Sequence, residues 1–111
     1  MTTAQKAADF LALHRAPEIL TVVNCWDVVS AKVAAGTEGT RALATASHGI
    51  SATLGYPDGE QIPVEEMLEL CGRIAAAVEL PVSADLEGGY GLAPETMPKP
   101  IALRIVSGAR P

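Results

Sequence analysis

Two carboxylates at spacing i, i+2, Asp85 and Glu87, stand where a short apolar run, Leu80-Pro-Val-Ser-Ala84, gives way to Gly88, Gly89 and Gly91 around Tyr90. Carboxylates at the end of a buried strand, followed by a glycine-rich loop, can hold a hard divalent cation and leave room for a substrate. Asp58, within Gly55-Tyr-Pro-Asp-Gly-Glu60, is a third oxygen donor. Mg2+ takes a few carboxylates and fills its remaining positions with waters and substrate oxygens, so acids on neighbouring loops suit it better than they suit Ca2+ or Zn2+. The same residues also read as solvated turn acids, because Asp and Gly are ordinary turn residues.

Two other polar clusters can serve such a site. Ser47-His48-Gly49-Ile50-Ser51 can present backbone N–H groups to a carboxylate or phosphate, or form a plain turn. No Ser or Cys nucleophile stands in an identifiable relation to His48. Asn24-Cys-Trp-Asp27 offers an amide and a carboxylate, with Asp27 also suited to N-cap the next helix. Trp26, Cys25 and Cys71 read as packing residues, and His14 as a capping or packing residue.

The elements that must position these clusters alternate. Thr3 to His14 reads as a helix, with Ala7, Phe10, Leu11 and His14 on one face. Ile19 to Val23 is a β-branched run bounded by Asn24, the pattern of a buried strand. Trp26 to Ala35 reads as a helix with Val29 and Val33 as its apolar pair and Gly36 as its stop. Arg41 to Ala46 is a weaker strand that runs into Ser47-His48-Gly49 and a polar loop. Pro63 opens the clearest helix, with Glu65 and Glu66 at its positive end. Val64, Met67, Leu68, Cys71, Ile74, Ala75 and Val78 form its apolar stripe. Val82 to Ala84 is the third strand. Helix and strand in strict alternation predict an α/β fold with a parallel sheet. In such folds sites collect at the C-terminal ends of the strands, so the three polar clusters imply one shared mouth.

Composition narrows the partners. The chain has 111 residues, 49% hydrophobic and 19% charged, enough for one small ordered domain. A formal net charge of −5 with eight Lys and Arg argues against nucleic acid. No basic cluster marks a membrane surface, and no apolar run approaches the roughly 20 residues a bilayer span needs. Met-Thr-Thr-Ala-Gln-Lys lacks the pattern of a signal peptide. Two cysteines without a CxxC give no disulfide framework, so a reducing, cytoplasmic compartment is expected.

Four separated motifs occur in order: Asn24-Cys-Trp-Asp27, Ala44-Thr-Ala-Ser47 with Gly49, Leu54-Gly-Tyr-Pro-Asp-Gly-Glu60, and Leu80-Pro-Val-Ser-Ala-Asp-Leu-Glu-Gly-Gly-Tyr-Gly91. Together they resemble the isocitrate lyase / phosphoenolpyruvate mutase family. The resemblance implies a (β/α)8 TIM barrel that uses Mg2+ to stabilise a pyruvate-like enolate. The implied substrates are small oxo or hydroxy carboxylates or phosphonates, whose C–C or P–C bonds are cleaved or rearranged. It also implies that Asp85 binds the metal directly and that Asp58 and Glu87 reach it through water. Ser47, His48 and Gly49 fall where the substrate's carboxylate end is held, and Asn24 and Asp27 line the same mouth.

A full barrel takes roughly 250 residues, so residues 1–91 are expected to supply about three βα units of a partial barrel. Residues 92–111 read as a degenerate tail, with Pro98 and Pro100 inside its helical pattern and Ile101 to Val106 as a possible strand. By the same resemblance the later acidic ligand, the acid/base loop and a substrate-gripping arginine fall beyond residue 111. Little or no activity is therefore expected of this chain alone, with no catalytic residue retained. The alternatives are a non-catalytic assembly partner that associates through open sheet edges, or a remnant without a role.

Overall fold

The computed structural model describes residues 1–91 together with Ala93 and Glu95. The expected irregular tail thus lies almost wholly outside the described residues. Three short strands, β1 (Val23–Cys25), β2 (Leu43–Thr45) and β3 (Val82–Ser83), form a parallel sheet in the order β1-β2-β3. Val23 lies opposite Leu43, and Leu43 opposite Val82. Four helices accompany them among the described residues: α1 (Thr3–Arg15), α2 (Val28–Ala35), α3 (Ser47–Thr53) and α4 (Val64–Ala77). Parallel neighbours in chain order, joined by helical crossovers, are the βαβ geometry the alternation predicts. The arrangement is consistent with part of a (β/α) barrel.

Helix α4 forms as expected. Pro63 stands at its N-cap, and Glu65 and Glu66 occupy its first turn. Its apolar stripe places Met67, Cys71, Ile74 and Val78 in one core with Cys25, Ala31, Leu43, Ile50 and Ile62.

Three expectations are corrected. The strand expected over Ile19–Val23 lies at Val23–Cys25, and Ile19 is 93% exposed. A strand exists only where a neighbour supplies partners, and β2 offers its ladder opposite Val23, Asn24 and Cys25. Helix α2 buries Ala31 and leaves Val29 and Val33 at 71% and 68% exposure. Its only polar residues are Ser30 and Lys32, and the apolar ones are spread around the axis, so its period alone could not choose a face. Small residues let it sit close against α4 and the sheet, with Ala34 and Ala35 also packed on the core. Finally, Ser47-His48-Gly49 is not a loop but the first turn of α3. At Gly49 a side chain would bring a Cβ within 2.9 Å of the Trp26 Cβ, so only glycine lets β1's end lie against this turn.

Helix α1 is capped by Thr2, whose hydroxyl accepts from Gln5 N–H at 3.1 Å while Gln5 Oε1 accepts from Thr2 N–H at 2.7 Å. None of its residues is buried, so the Ala7, Phe10, Leu11, His14 face does not enter the core. It is tied instead by polar contacts. Lys6 donates to the carbonyls of Ala75 (2.8 Å) and Val78, and the N-terminal amine reaches Glu79 at 2.9 Å. The carbonyls at a helix C-terminus favour a cation. His14 packs its ring edge-on to Phe10 at 4.4 Å, as a packing residue should.

Ile74→Ala is expected to lower the unfolding free energy in urea by about 2–5 kcal/mol, and Val29→Ala by less than about 0.5 kcal/mol. The reverse order would put Val29 rather than Ile74 in the core.

Candidate functional site

The parallel register brings the ends of β2 and β3 level, and one polar contact joins them. Asp85 Oδ2 accepts the Ser47 hydroxyl at 2.6 Å and the Ser47 N–H at 3.4 Å. Asp85 Oδ1 accepts the Glu87 N–H at 2.9 Å. Below the carboxylate, Thr45 Oγ1 accepts the Asp85 N–H at 2.9 Å. These donors favour the ionised form. The Ser47 hydroxyl, aided by the N–H groups of Glu87 and Ser47, holds the Asp85 carboxyl below the usual carboxylate range against the opposing effect of burial. The result is a fixed anion at a strand end.

Glu87 and Asp58 belong to the loops beside it. Glu87 Oε1 accepts the Glu60 N–H at 3.0 Å, and Glu87 Oε2 is buried without a hydrogen-bond partner. Asp58 is exposed; its Oδ1 accepts the Gly59 N–H at 2.9 Å and its Oδ2 lies 3.6 Å from His48 Nδ1. Asp58 thus faces His48 across the mouth, while Glu87 turns toward Glu60. Among the described residues no group of three or more His, Cys, Asp or Glu is gathered closely enough to serve as a direct ligand set. The one fully prepared carboxylate is Asp85.

The first polar cluster lies at the end of β1, beside the end of β2. Asp27 Oδ1 accepts the Ser30 N–H at 2.6 Å, which caps α2 and holds its carboxyl below the usual range. Asn24 sits within β1, and with Asp27 it borders a groove beside Val23, Trp26, Val29 and Val33. The structure gives neither residue a hydrogen bond to Asp85. Cys25 and Cys71 are buried free thiols, and burial pushes both above their ordinary pKa, so neither is a ready nucleophile.

Three residues of this region were not anticipated. Thr45 is the polar residue that β2 turns inward, visible as the third position of Leu43-Ala44-Thr45. Glu60 and Tyr90 join the two acid-bearing loops, where the Glu60 Oε1 accepts the Tyr90 N–H at 3.1 Å and the Tyr90 hydroxyl donates to Ile62 O at 3.0 Å. Burial, then the charges of Glu87 and Glu60, push the Tyr90 phenol up to about 12, so it stays a donor. Glu60, Glu87 and Tyr90 all have left-handed backbones, with φ of 59°, 55° and 59°. Each costs roughly 1–2 kcal/mol in a residue with a Cβ. Nothing in the sequence marks them except the glycines alongside.

The family model for phosphoenolpyruvate phosphomutase matches residues 10–110. The chain belongs to this family. A solved structure from Burkholderia cenocepacia J2315, provisionally assigned as a phosphonomutase, shares 47% identity and superposes with a TM-score of 0.82 over 95% of this chain and 42% of that one. An oxaloacetate decarboxylase from Ectopseudomonas mendocina is 32% identical over 79% of this chain and 30% of its own length. An isocitrate lyase from Haloferax volcanii is 28% identical over 78% of this chain and 25% of its own length. The phosphomutase-family chain thus spans less than half the length of each of these relatives. The resemblance to lyases and mutases seen in the motifs is thereby borne out.

A carboxyl that ionises more readily in the folded chain adds stability above its unfolded pKa of about 3.9 and loses it as pH falls through the lower folded value. Ser47→Ala is expected to raise the Asp85 pKa in a carbon NMR titration and to shrink that acid-side loss. An unchanged Asp85 titration would contradict the contact.

Proposed function

We propose that this chain carries the anion-anchored corner of a lyase/mutase site. The site acts on C–C or P–C bonds of small oxo or hydroxy carboxylates or phosphonates by way of a pyruvate-like enolate. The observation that carries the proposal is the Asp85 carboxylate, held ionised at the end of β3 by Ser47 from the end of β2. Membership of the phosphomutase family supports it.

The residues fit Mg2+. The donors are all oxygens, Asp85 is anionic, and Glu87 Oε2 is a buried carboxylate oxygen that lacks a partner. One prepared carboxylate without a closed cage suits a cation that keeps waters and substrate oxygens. Asp85 would hold it directly, and Asp58 and Glu87 through water. When bound, it supplies positive charge beside the oxygen on which an enolate's charge develops.

The chain's own residues do the rest. Ser47 keeps Asp85 ionised and oriented. In the first turn of α3 the Ser47 N–H is taken by Asp85, and the N–H groups of His48 and Gly49, without helical partners, would receive a substrate carboxylate. His48, beside Asp58, lies at the edge of that position. As the resemblance implies, the 111 residues alone are expected to turn over little or no substrate. The free buried thiols agree with a reducing, cytoplasmic setting. Among the described residues no helix is long and apolar enough to cross a membrane.

Mn2+ reports on the cation site by electron paramagnetic resonance. The wild-type chain is expected to bind Mn2+, and Asp85→Asn to lose that binding. Equal binding by both proteins would refute the assignment, and brisk Mg2+-dependent pyruvate release by the purified chain would refute the expected inactivity.

A second reading, assembly with another chain, is favoured by the edge of β1 that stays open among the described residues, near which Val22, Val23, Trp26, Val29 and Val33 are exposed. Unpaired edges and apolar patches recruit partners. Light scattering is expected to show association that rises with concentration. A clean monomer with a sharp thermal transition would rule this out.

A further inference from the structure

We infer that Glu60 is a positioning residue for the cation site: with Glu87 it latches the turn carrying Asp58 to the turn following Asp85. This rests on the cation reading above. One turn lies between α3 and α4 and the other follows β3, and the latch has two arms of opposite sense. Glu60 donates its N–H to Glu87 Oε1 at 3.0 Å, and Glu60 Oε1 accepts the Tyr90 N–H at 3.1 Å. Each turn therefore gives one N–H and one carboxylate oxygen. Reciprocal bonds of this kind fix orientation as well as distance, as they do in a helix capping box.

Two further observations show that the contact is built in. A Cβ at Gly88 would come within 2.9 Å of Glu60 Oε1, so the carboxylate lies against bare backbone. Glu60, Glu87 and Tyr90 are all held in left-handed conformations that side chains rarely adopt. Strain of this sort persists only where the surroundings over-determine it, and it gathers at functional sites.

The latch connects directly to the acids. Glu87 N–H donates to Asp85 Oδ1 at 2.9 Å, so the turn held by Glu60 also holds one side of the Asp85 carboxylate. Asp58 lies two residues before Glu60 and accepts the Gly59 N–H at 2.9 Å, so its place is set by the same turn. Without the Glu60 carboxylate the two turns keep only the backbone arm to Glu87 and lose the arm to Tyr90.

The test compares Glu60→Ala with Glu60→Gln in the full chain, by Mn2+ affinity and by amide hydrogen exchange. Gln keeps a carbonyl oxygen for the Tyr90 N–H; Ala keeps only the backbone N–H to Glu87. Glu60→Ala is expected to weaken Mn2+ binding by about 10–100-fold, the scale of losing a residue that braces a ligand, and to speed exchange at Tyr90. Glu60→Gln is expected to restore both. Mn2+ affinity unchanged in Glu60→Ala, or lost equally in Glu60→Gln while Tyr90 exchange stays slow in both, would overturn the inference. Should Glu60→Ala fail to fold, Gly88→Ala replaces it. Its backbone is compatible with alanine, its methyl displaces the Glu60 carboxylate, and the same loss of affinity is required. A wild-type chain with no Mn2+ affinity would contradict cation binding and the positioning role together. Tyr90 exchange in Glu60→Ala would then still show whether the latch itself exists.

Discussion

The hydrogen bond from the Ser47 hydroxyl to Asp85 Oδ2 links the ends of two adjacent parallel strands at 2.6 Å. It is possible only because Leu43 lies opposite Val82 and Ala44 opposite Ser83, which brings both chains out of the sheet at the same level. A slip of one residue would turn every side chain to the opposite face and part the two groups. Thr45 adds a second tie by accepting the Asp85 N–H at 2.9 Å. A carboxylate fixed by three donors is ionised and oriented before any ligand arrives, and that preorganisation is what an electrostatic site requires.

The core exists to hold that register. Leu43, Ile50, Ile62, Met67 and Ile74 are fully buried beside the sheet. Ala31 on α2 allows close approach of that helix to α4, and Gly49 allows close approach of α3 to Trp26. Among the described residues the same architecture leaves β1 with one unpaired edge and an apolar surface around Trp26, Val29 and Val33. Site and edge are two consequences of one parallel sheet: the helices cover its faces, and only further strands can cover its sides.

Much of this was legible in the residues. Helix α4 was read correctly because proline, first-turn acids and a single apolar stripe all agree. The alternation of elements predicted the parallel strands. The facing of α2 was not legible, because its valines and alanines are spread around the axis and mark no single stripe. Nor were the limits of β1, because they are set by the neighbouring strand rather than by its own β-branched run. Ser47-His48-Gly49 was read as a loop since Ala46 supplies no side-chain cap to announce α3. Asp85 stands just past the end of β3, where the residues place it. Its bond to Ser47, and the clasp between Glu60 and Glu87, depend on backbone geometry that residue types do not display.

The most direct measurement of the central claim is paramagnetic broadening of backbone amide signals by Mn2+. If Asp85 anchors the cation at the mouth shared by β2 and β3, broadening should centre on Ser47 to Gly49, Asp58 to Glu60 and Asp85 to Glu87, with the rest of the chain unaffected. Broadening centred on the exposed acids Glu65 and Glu66 of α4 would contradict that account.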